Sequence, residues 1–152
     1  MTPPPSTTTK TCWHCLVGAT LKALLEPVGV EVRVEVPVTA NQPRADLILI
    51  RRQDASWTER QRLLLADGLC DLEADHLLLE MKITESLNEE SLTRLSMYDT
   101  LFLASAGLRR ERLQSAIVSA ITPRPEFFER FAFQSVGARG VYESRPLWGG
   151  MV

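Results

Sequence analysis

Asp46, Glu80 and Lys82 are charged residues set inside segments that are otherwise apolar. Asp46 lies near the start of Ala45-Asp46-Leu47-Ile48-Leu49-Ile50, while Glu80 and Lys82 fall within His76-Leu77-Leu78-Leu79-Glu80-Met81-Lys82-Ile83. A carboxylate placed beside a hydrophobic sheet is costly unless it is paired or bound to metal. Two carboxylates offer ligands to a hard, oxygen-seeking cation such as Mg²⁺. A lysine beside them can orient or deprotonate a water, or stabilise charge that builds on a phosphate during transfer. The plainer reading makes Glu80–Lys82 a salt bridge and Asp46 a turn residue after Pro43. It suits each residue singly, whereas three such groups on two neighbouring strands argue for use.

Cys12-Trp13-His14-Cys15 is the second group with chemical spacing. A redox dithiol of this kind sits where a strand meets a helix, and nothing strand-like precedes Cys12. A zinc knuckle would take Cys12 and Cys15 with Cys70 and His76, but the latter pair lacks the close spacing such sites use. The preferred reading is that Cys12 and Cys15 are ordinary positions at the start of a helix. With three cysteines, not all can pair within one chain.

The elements that must position these groups follow from periodicity. Trp13, Leu16, Val17, Leu21, Leu24 and Leu25 form a helical stripe, closed by Pro27 and Gly29. Val30 to Val36 alternates strictly and predicts a strand. After a turn at Asn41-Gln42-Pro43, Ala45–Ile50 predicts a second strand, apolar on both faces and therefore central. A helix is expected over Trp57–Leu69, a strand over His76–Ile83, and a helix over Glu89–Ala104 capped by Ser86 or Asn88 and ended by Gly107. A strand at Ser115–Thr122, a short helix at Glu126–Phe131 and a strand near Gly140–Tyr142 complete the chain. Residues i and i+2 of a strand share a face, so Glu80 and Lys82 project together. The whole reads as an α/β protein, a central sheet flanked by helices.

Residues 1–10, rich in Pro, Ser and Thr, read as a flexible tail before one domain over 11–152. They hold no apolar stretch of the secretory type, and no run approaches a membrane span, so the expected compartment is the cytoplasm. The formal net charge of −2 gives no broad basic surface for DNA. Nucleic-acid binding would need local arginine clusters, for which Arg44, Arg51, Arg52 and the stretch Arg109-Arg110-Glu111-Arg112 are candidates.

Asp46 on one strand and Glu80-Met81-Lys82 on the next, in this element order, resemble the PD-(D/E)XK nuclease superfamily. Arg94-Leu95-Ser96-Met97-Tyr98 stands where many members carry Q-x-x-x-Y, with arginine in place of glutamine. Ile121-Thr122-Pro123-Arg124-Pro125 and Gly140-Val141-Tyr142-Glu143-Ser144 are similar to segments of bacterial transposase-related, recombination-promoting nucleases. The resemblance runs from about Trp13 to the end and implies a restriction-endonuclease-like core with a mixed sheet. It implies that Asp46 and Glu80 ligate Mg²⁺ or Mn²⁺, that Lys82 assists the attacking water, and that Arg94 and Tyr98 brace the site or touch phosphate. Ala45 stands where the family's proline precedes the aspartate. The family often adds a glutamate from the first helix; Glu26 lies at that helix's far end, with Glu31, Glu35 and Glu73 as substitutes. The expected activity is hydrolysis of DNA, and the alternative is a nuclease-fold module that binds nucleic acid or protein without cutting. A thiol oxidoreductase built on Cys12 and Cys15 ranks last. A homodimer is a further expectation, with Pro146-Leu147-Trp148-Gly149-Gly150 as one surface for it, although Trp148 packed on its own domain is the preferred reading.

Overall fold

The alternating valines from Val30 form β1 (Val30–Pro37), and the two apolar runs form β2 (Arg44–Arg51) and β3 (His76–Lys82). In the computed structural model, which describes residues 12–37, 44–51 and 56–144, they join β4 (Leu113–Ser119) in one sheet of order β1-β2-β3-β4. β1 and β3 both run antiparallel to β2, and β4 runs parallel to β3. The sheet is therefore mixed, with the two most apolar strands in the middle. The tail at 1–10, the turn at 41–43, Arg52 and the segment 146–150 lie outside the described residues, as do the side chains of Pro37, Arg44 and Arg51.

Helices cover both faces. On one side α1 (Trp13–Leu25) lays Val17, Leu21 and Leu25 on Val30, Val32, Leu47, Leu49, Leu77 and Leu79. On the other, α3 (Glu89–Ala106) lays Tyr98 and Phe102 on Ile48 and Leu78. Asn88 caps α3 by accepting a hydrogen bond from Ser91 N, and Gly107 ends it in the left-handed region at φ 63°. A short turn of helix, Glu26–Val28, follows α1 and stops at Gly29 with φ 82°.

α1 sits unusually near the sheet at Gly18. A Cβ there would lie 2.5 Å from Val34 Cγ2 and 3.2 Å from Leu47 Cδ2. A mid-helix glycine costs about 1 kcal/mol relative to alanine, so close packing is what this one provides. Gly18→Val is expected to destabilise the fold by about 2 kcal/mol or more through overpacking. Urea melts check this; an unchanged midpoint would mean that α1 does not pack as described.

Two expected elements differ. The helix expected at Trp57–Leu69 is helical only at α2 (Glu59–Arg62), held by a capping box between Thr58 and Gln61. Beyond it the chain tightens into i→i+3 turns, Leu64 N to Gln61 O and Leu65 N to Arg62 O. Gly68 adopts φ 80° with Val141 packed where a side chain would be. Gln61 is fully buried because its amide donates to Val28 O at 2.8 Å. Trp57 is anchored likewise, Nε1 donating to Ala74 O at 2.8 Å. At the C-terminal end, α4 (Pro125–Arg130) is followed by a separate hairpin, β5 (Phe133–Ser135) with β6 (Tyr142–Ser144), of which only the second strand was expected. The hairpin is packed by aromatics, with Phe127 and Phe128 against Phe133 and Tyr142.

Candidate metal centre

The pleat of the sheet changes phase at one level. Val30, Val32 and Val34 of β1 and Leu47 and Leu49 of β2 face α1, whereas Val36 and Ala45 join the cluster under α3. The register runs Val34↔Leu47, then Val36↔Ala45, so Glu35 and Asp46 stand opposite each other where the alternation breaks. Glu35 takes φ 51°, a conformation that a residue with a side chain rarely adopts. On the other flank the β2–β3 register ends at Leu47↔Leu79. One step further, the Asp46 side chain replaces the backbone ladder: Oδ2 accepts from Met81 N at 2.8 Å. This bond fixes the carboxylate beside Glu80, its neighbour across the strand pair.

Glu80 and Lys82 share the α3 face of β3 and are 4% and 6% exposed. Lys82 Nζ lies 3.6 Å from Glu80 Oε1, and Arg94 of α3 reaches the same oxygen at 3.8 Å. These are ion pairs at long range. Each cation makes its short bond elsewhere, Lys82 to Glu85 Oε1 at 2.9 Å and Arg94 to Glu90 Oε1 at 2.7 Å. Glu85 and Glu90 are largely exposed. Among the described residues the buried carboxylate thus sits in a cationic field at 3.6–3.8 Å, while the two cations make their shorter bonds to exposed glutamates. Asp46, Glu80, Lys82 and Arg94 line one open depression of about 440 Å³, which Cys12 and His14 also line. Tyr98, four residues beyond Arg94 on the same helix face, is buried beneath it.

The electrostatics follow from this burial. Desolvation, with the nearby Asp46 charge second, pushes the Glu80 carboxyl above the ordinary glutamate range, against the opposing pull of Lys82 and Arg94. Burial and then Glu80 push the Tyr98 phenol up, so it stays protonated at neutral pH. The linkage has a definite sign. A carboxyl that holds its proton more tightly in the folded chain supports folding at low pH and opposes it as pH rises above the unfolded value near 4.5. With a chelator present, stability is expected to lose a Glu80-dependent contribution as pH rises from that value through the raised folded one, and Glu80→Gln to remove that part of the slope. Thermal melts across this range check it; identical slopes for the two proteins would contradict it.

As a cation site, the donor set is hard and incomplete. Among the described residues Asp46 Oδ1 accepts no hydrogen bond, which leaves it for a ligand, and Glu80 supplies a second oxygen donor. Both suit Mg²⁺ or Mn²⁺, which keep several waters and need few protein carboxylates. The candidates for a third acid do not converge here. Glu31 pairs with Arg33, Glu73 with Arg62, and Glu26 belongs to the turn after α1. Glu35 lies opposite Asp46, but its carboxylate binds His14 Nε2 at 2.8 Å.

The arginines proposed for DNA divide. Arg110 pairs with Asp99 and Leu113 O, and Arg112 with Asp75, so this stretch braces α3 and β3 against β4. The zinc knuckle set aside on spacing does not form, and Cys12 and Cys15 are not the ordinary helix positions of the preferred reading. Cys12 and Cys15 are joined by a disulfide, Cys70 is a free thiol in the turn after α2, and His76 rests against Arg112 O and Phe102. His14 and Glu35 instead stand beside the two sulfurs. The CxxC spacing signals the sulfurs, but only the β1 register brings Glu35 to them.

No protein-family model, curated protein or solved structure matches the chain. No helix among the described residues is long and apolar enough to cross a membrane.

Proposed function

We propose that this protein is a metal-dependent nuclease with a restriction-endonuclease-like core, hydrolysing DNA phosphodiester bonds at the depression lined by Asp46, Glu80, Lys82 and Arg94. The observation that carries this reading is the gathering of two carboxylates and two cations at the open end of β2 and β3, with Glu80 buried and, among the described residues, in ion pairs of 3.6–3.8 Å. A sheet that needed only an internal salt bridge would be expected to close Glu80 and Lys82 to hydrogen-bond distance, not to bond the lysine to an exposed glutamate.

Asp46 and Glu80 are the residues that would hold Mg²⁺ or Mn²⁺, which supplies Lewis acidity toward the phosphate oxygens when bound. Asp46 is fixed by the Met81 N–H, and Glu80 by the strand it lies on. Lys82 is placed to orient the attacking water and to stabilise charge developing on phosphate. Arg94, on the helix above, is placed to receive a phosphate oxygen. In that state Glu85 and Glu90 give up Lys82 and Arg94 to the incoming anion, because both glutamates lie at the surface, where an ion pair contributes little. Tyr98 braces Arg94 from below. Glu90→Gln is therefore expected to lower KM for DNA a few-fold while leaving kcat near wild type.

A second reading, a binding module of the same fold that does not cut, draws on the charge of −2 and the two-carboxylate donor set. Linear and supercoiled DNA incubated with the protein in Mg²⁺ or Mn²⁺, beside Glu80→Ala and Lys82→Ala, separates the two. The nuclease reading expects cleavage that both substitutions abolish. Cleavage surviving both would sink it, and no cleavage together with intact metal binding would favour the binding module.

A further inference from the structure

Cys12, His14, Cys15 and Glu35 take no part in the chemistry proposed above, yet one ligand atom from each lies within 4.8 Å of every other. His14 Nε2 is the centre of the group, 3.1 Å from Cys12 Sγ and 2.8 Å from Glu35 Oε1. Three residues come from the start of α1: Cys12 at its N-cap, with no side-chain capping bond, and His14 and Cys15 in its first turn. The fourth arrives from β1 through the φ 51° backbone at Glu35, at the level where the strand changes phase. A disulfide needs only the two cysteines. It requires neither an imidazole nitrogen and a carboxylate turned onto the sulfurs nor a strained residue to deliver one, and strain of this kind gathers at functional sites.

We propose that Cys12, His14, Cys15 and Glu35 form a zinc site in the reduced protein. Two thiolates, one imidazole and one carboxylate are a donor set that zinc takes readily, with tetrahedral ligands roughly 3.3–3.8 Å apart. The observed separations of 2.8 and 3.1 Å need to widen by less than about an ångström. The N-terminal end of α1 favours the negative charge the two sulfurs carry as ligands. In the state described here the sulfurs are joined, so disulfide and zinc are alternative closures of one site. A phosphine reductant opens it: the S–S bond breaks to two thiols, the phosphine becomes its oxide with oxygen from water, and zinc then displaces the thiol protons. Bound zinc ties the start of α1 to β1 beside the depression holding Asp46 and Glu80.

The proposal is independent of nuclease activity, and its test uses the metal alone. The full chain, reduced with a phosphine, is titrated with Zn²⁺ against a chromophoric chelator and with Co²⁺ for thiolate charge-transfer absorption. One equivalent is expected to carry the Co²⁺ spectrum of a two-thiolate tetrahedral site, separate from any ion held by the Asp46 and Glu80 carboxylates. Cys12→Ser, Cys15→Ser and His14→Ala are each expected to weaken zinc by more than about 100-fold, beyond the range of outer-shell partners, and Glu35→Gln by about 10-fold. Cys70→Ser should bind as wild type, the double variant Asp46→Ala/Glu80→Ala should keep the thiolate charge-transfer band, and the oxidised protein should lack that band whatever its carboxylates hold. Circular dichroism of each variant separates lost ligands from lost fold. Absence of a thiolate-bound equivalent in the reduced, folded protein overturns the proposal, as does undiminished zinc affinity in Cys12→Ser and Cys15→Ser made on the folded Asp46→Ala/Glu80→Ala background.

Discussion

Lys82→Met is expected to leave divalent-metal binding in place and to slow DNA cleavage by roughly three orders of magnitude. The ammonium lies 3.6 Å from Glu80 Oε1 and projects from the same strand face. Its removal takes away a buried cation that stands beside the candidate ligand and lines the depression where water would attack. Methionine fills similar volume without a charge, so the buried position stays filled. The substitution also deprives Glu80 of one of the two charges that pull its proton affinity down. Metal binding should therefore move to higher pH in this variant, and the comparison belongs on the alkaline side of neutrality. Loss of kcat with unchanged metal affinity is the expected split. Equal loss of both would make Lys82 a structural partner of Glu80.

Asp99→Ala is expected to destabilise the protein by about 3 kcal/mol, lowering the melting temperature by about 10 °C. Asp99 lies on α3 one residue after Tyr98 and is buried. Its carboxylate holds the Arg110 guanidinium through both oxygens and accepts from the Ser115 hydroxyl of β4. Alanine leaves all of these donors unsatisfied at the seam between helix and sheet. Because α3 also carries Arg94 and Tyr98, a loosened seam should raise KM for DNA before it changes metal binding. A shift of only a degree or two would show that the half-exposed Arg110 recovers its hydrogen bonds from water.

Much of the centre was legible in the sequence because strand geometry has few solutions. The i, i+2 spacing of Glu80 and Lys82 puts them on one face, and two continuous apolar runs cannot both be edge strands. The same reasoning places Asp46 beside Glu80 once the strands are neighbours. What the sequence does not carry is phase. Strict alternation from Val30 to Val36 implies one face throughout, yet Val34 and Val36 end on opposite sides because the backbone turns over at Glu35. That flip sends Glu35 to His14, a contact 21 residues apart with no local signature. α2 fell short for a related reason: the spacing of Leu64, Leu65 and Leu69 suits a helix, but Gly68 meets Val141, a partner that no local window contains. The arginines at 110 and 112 read as a basic patch because their acidic partners, Asp99 and Asp75, are distant in sequence.

The central claim is that Asp46 and Glu80 make one divalent-cation site, and the most direct measurement is Mn²⁺ binding followed by the electron paramagnetic resonance signal of the free ion. Wild type, kept oxidised at Cys12 and Cys15, is expected to bind one Mn²⁺ that Mg²⁺ displaces. Asp46→Ala and Glu80→Ala, each folded by circular dichroism, should leave the free-ion signal unchanged, while Cys12→Ser binds as wild type. A wild-type protein that takes up no Mn²⁺, or one whose uptake survives both carboxylate substitutions, would contradict the account.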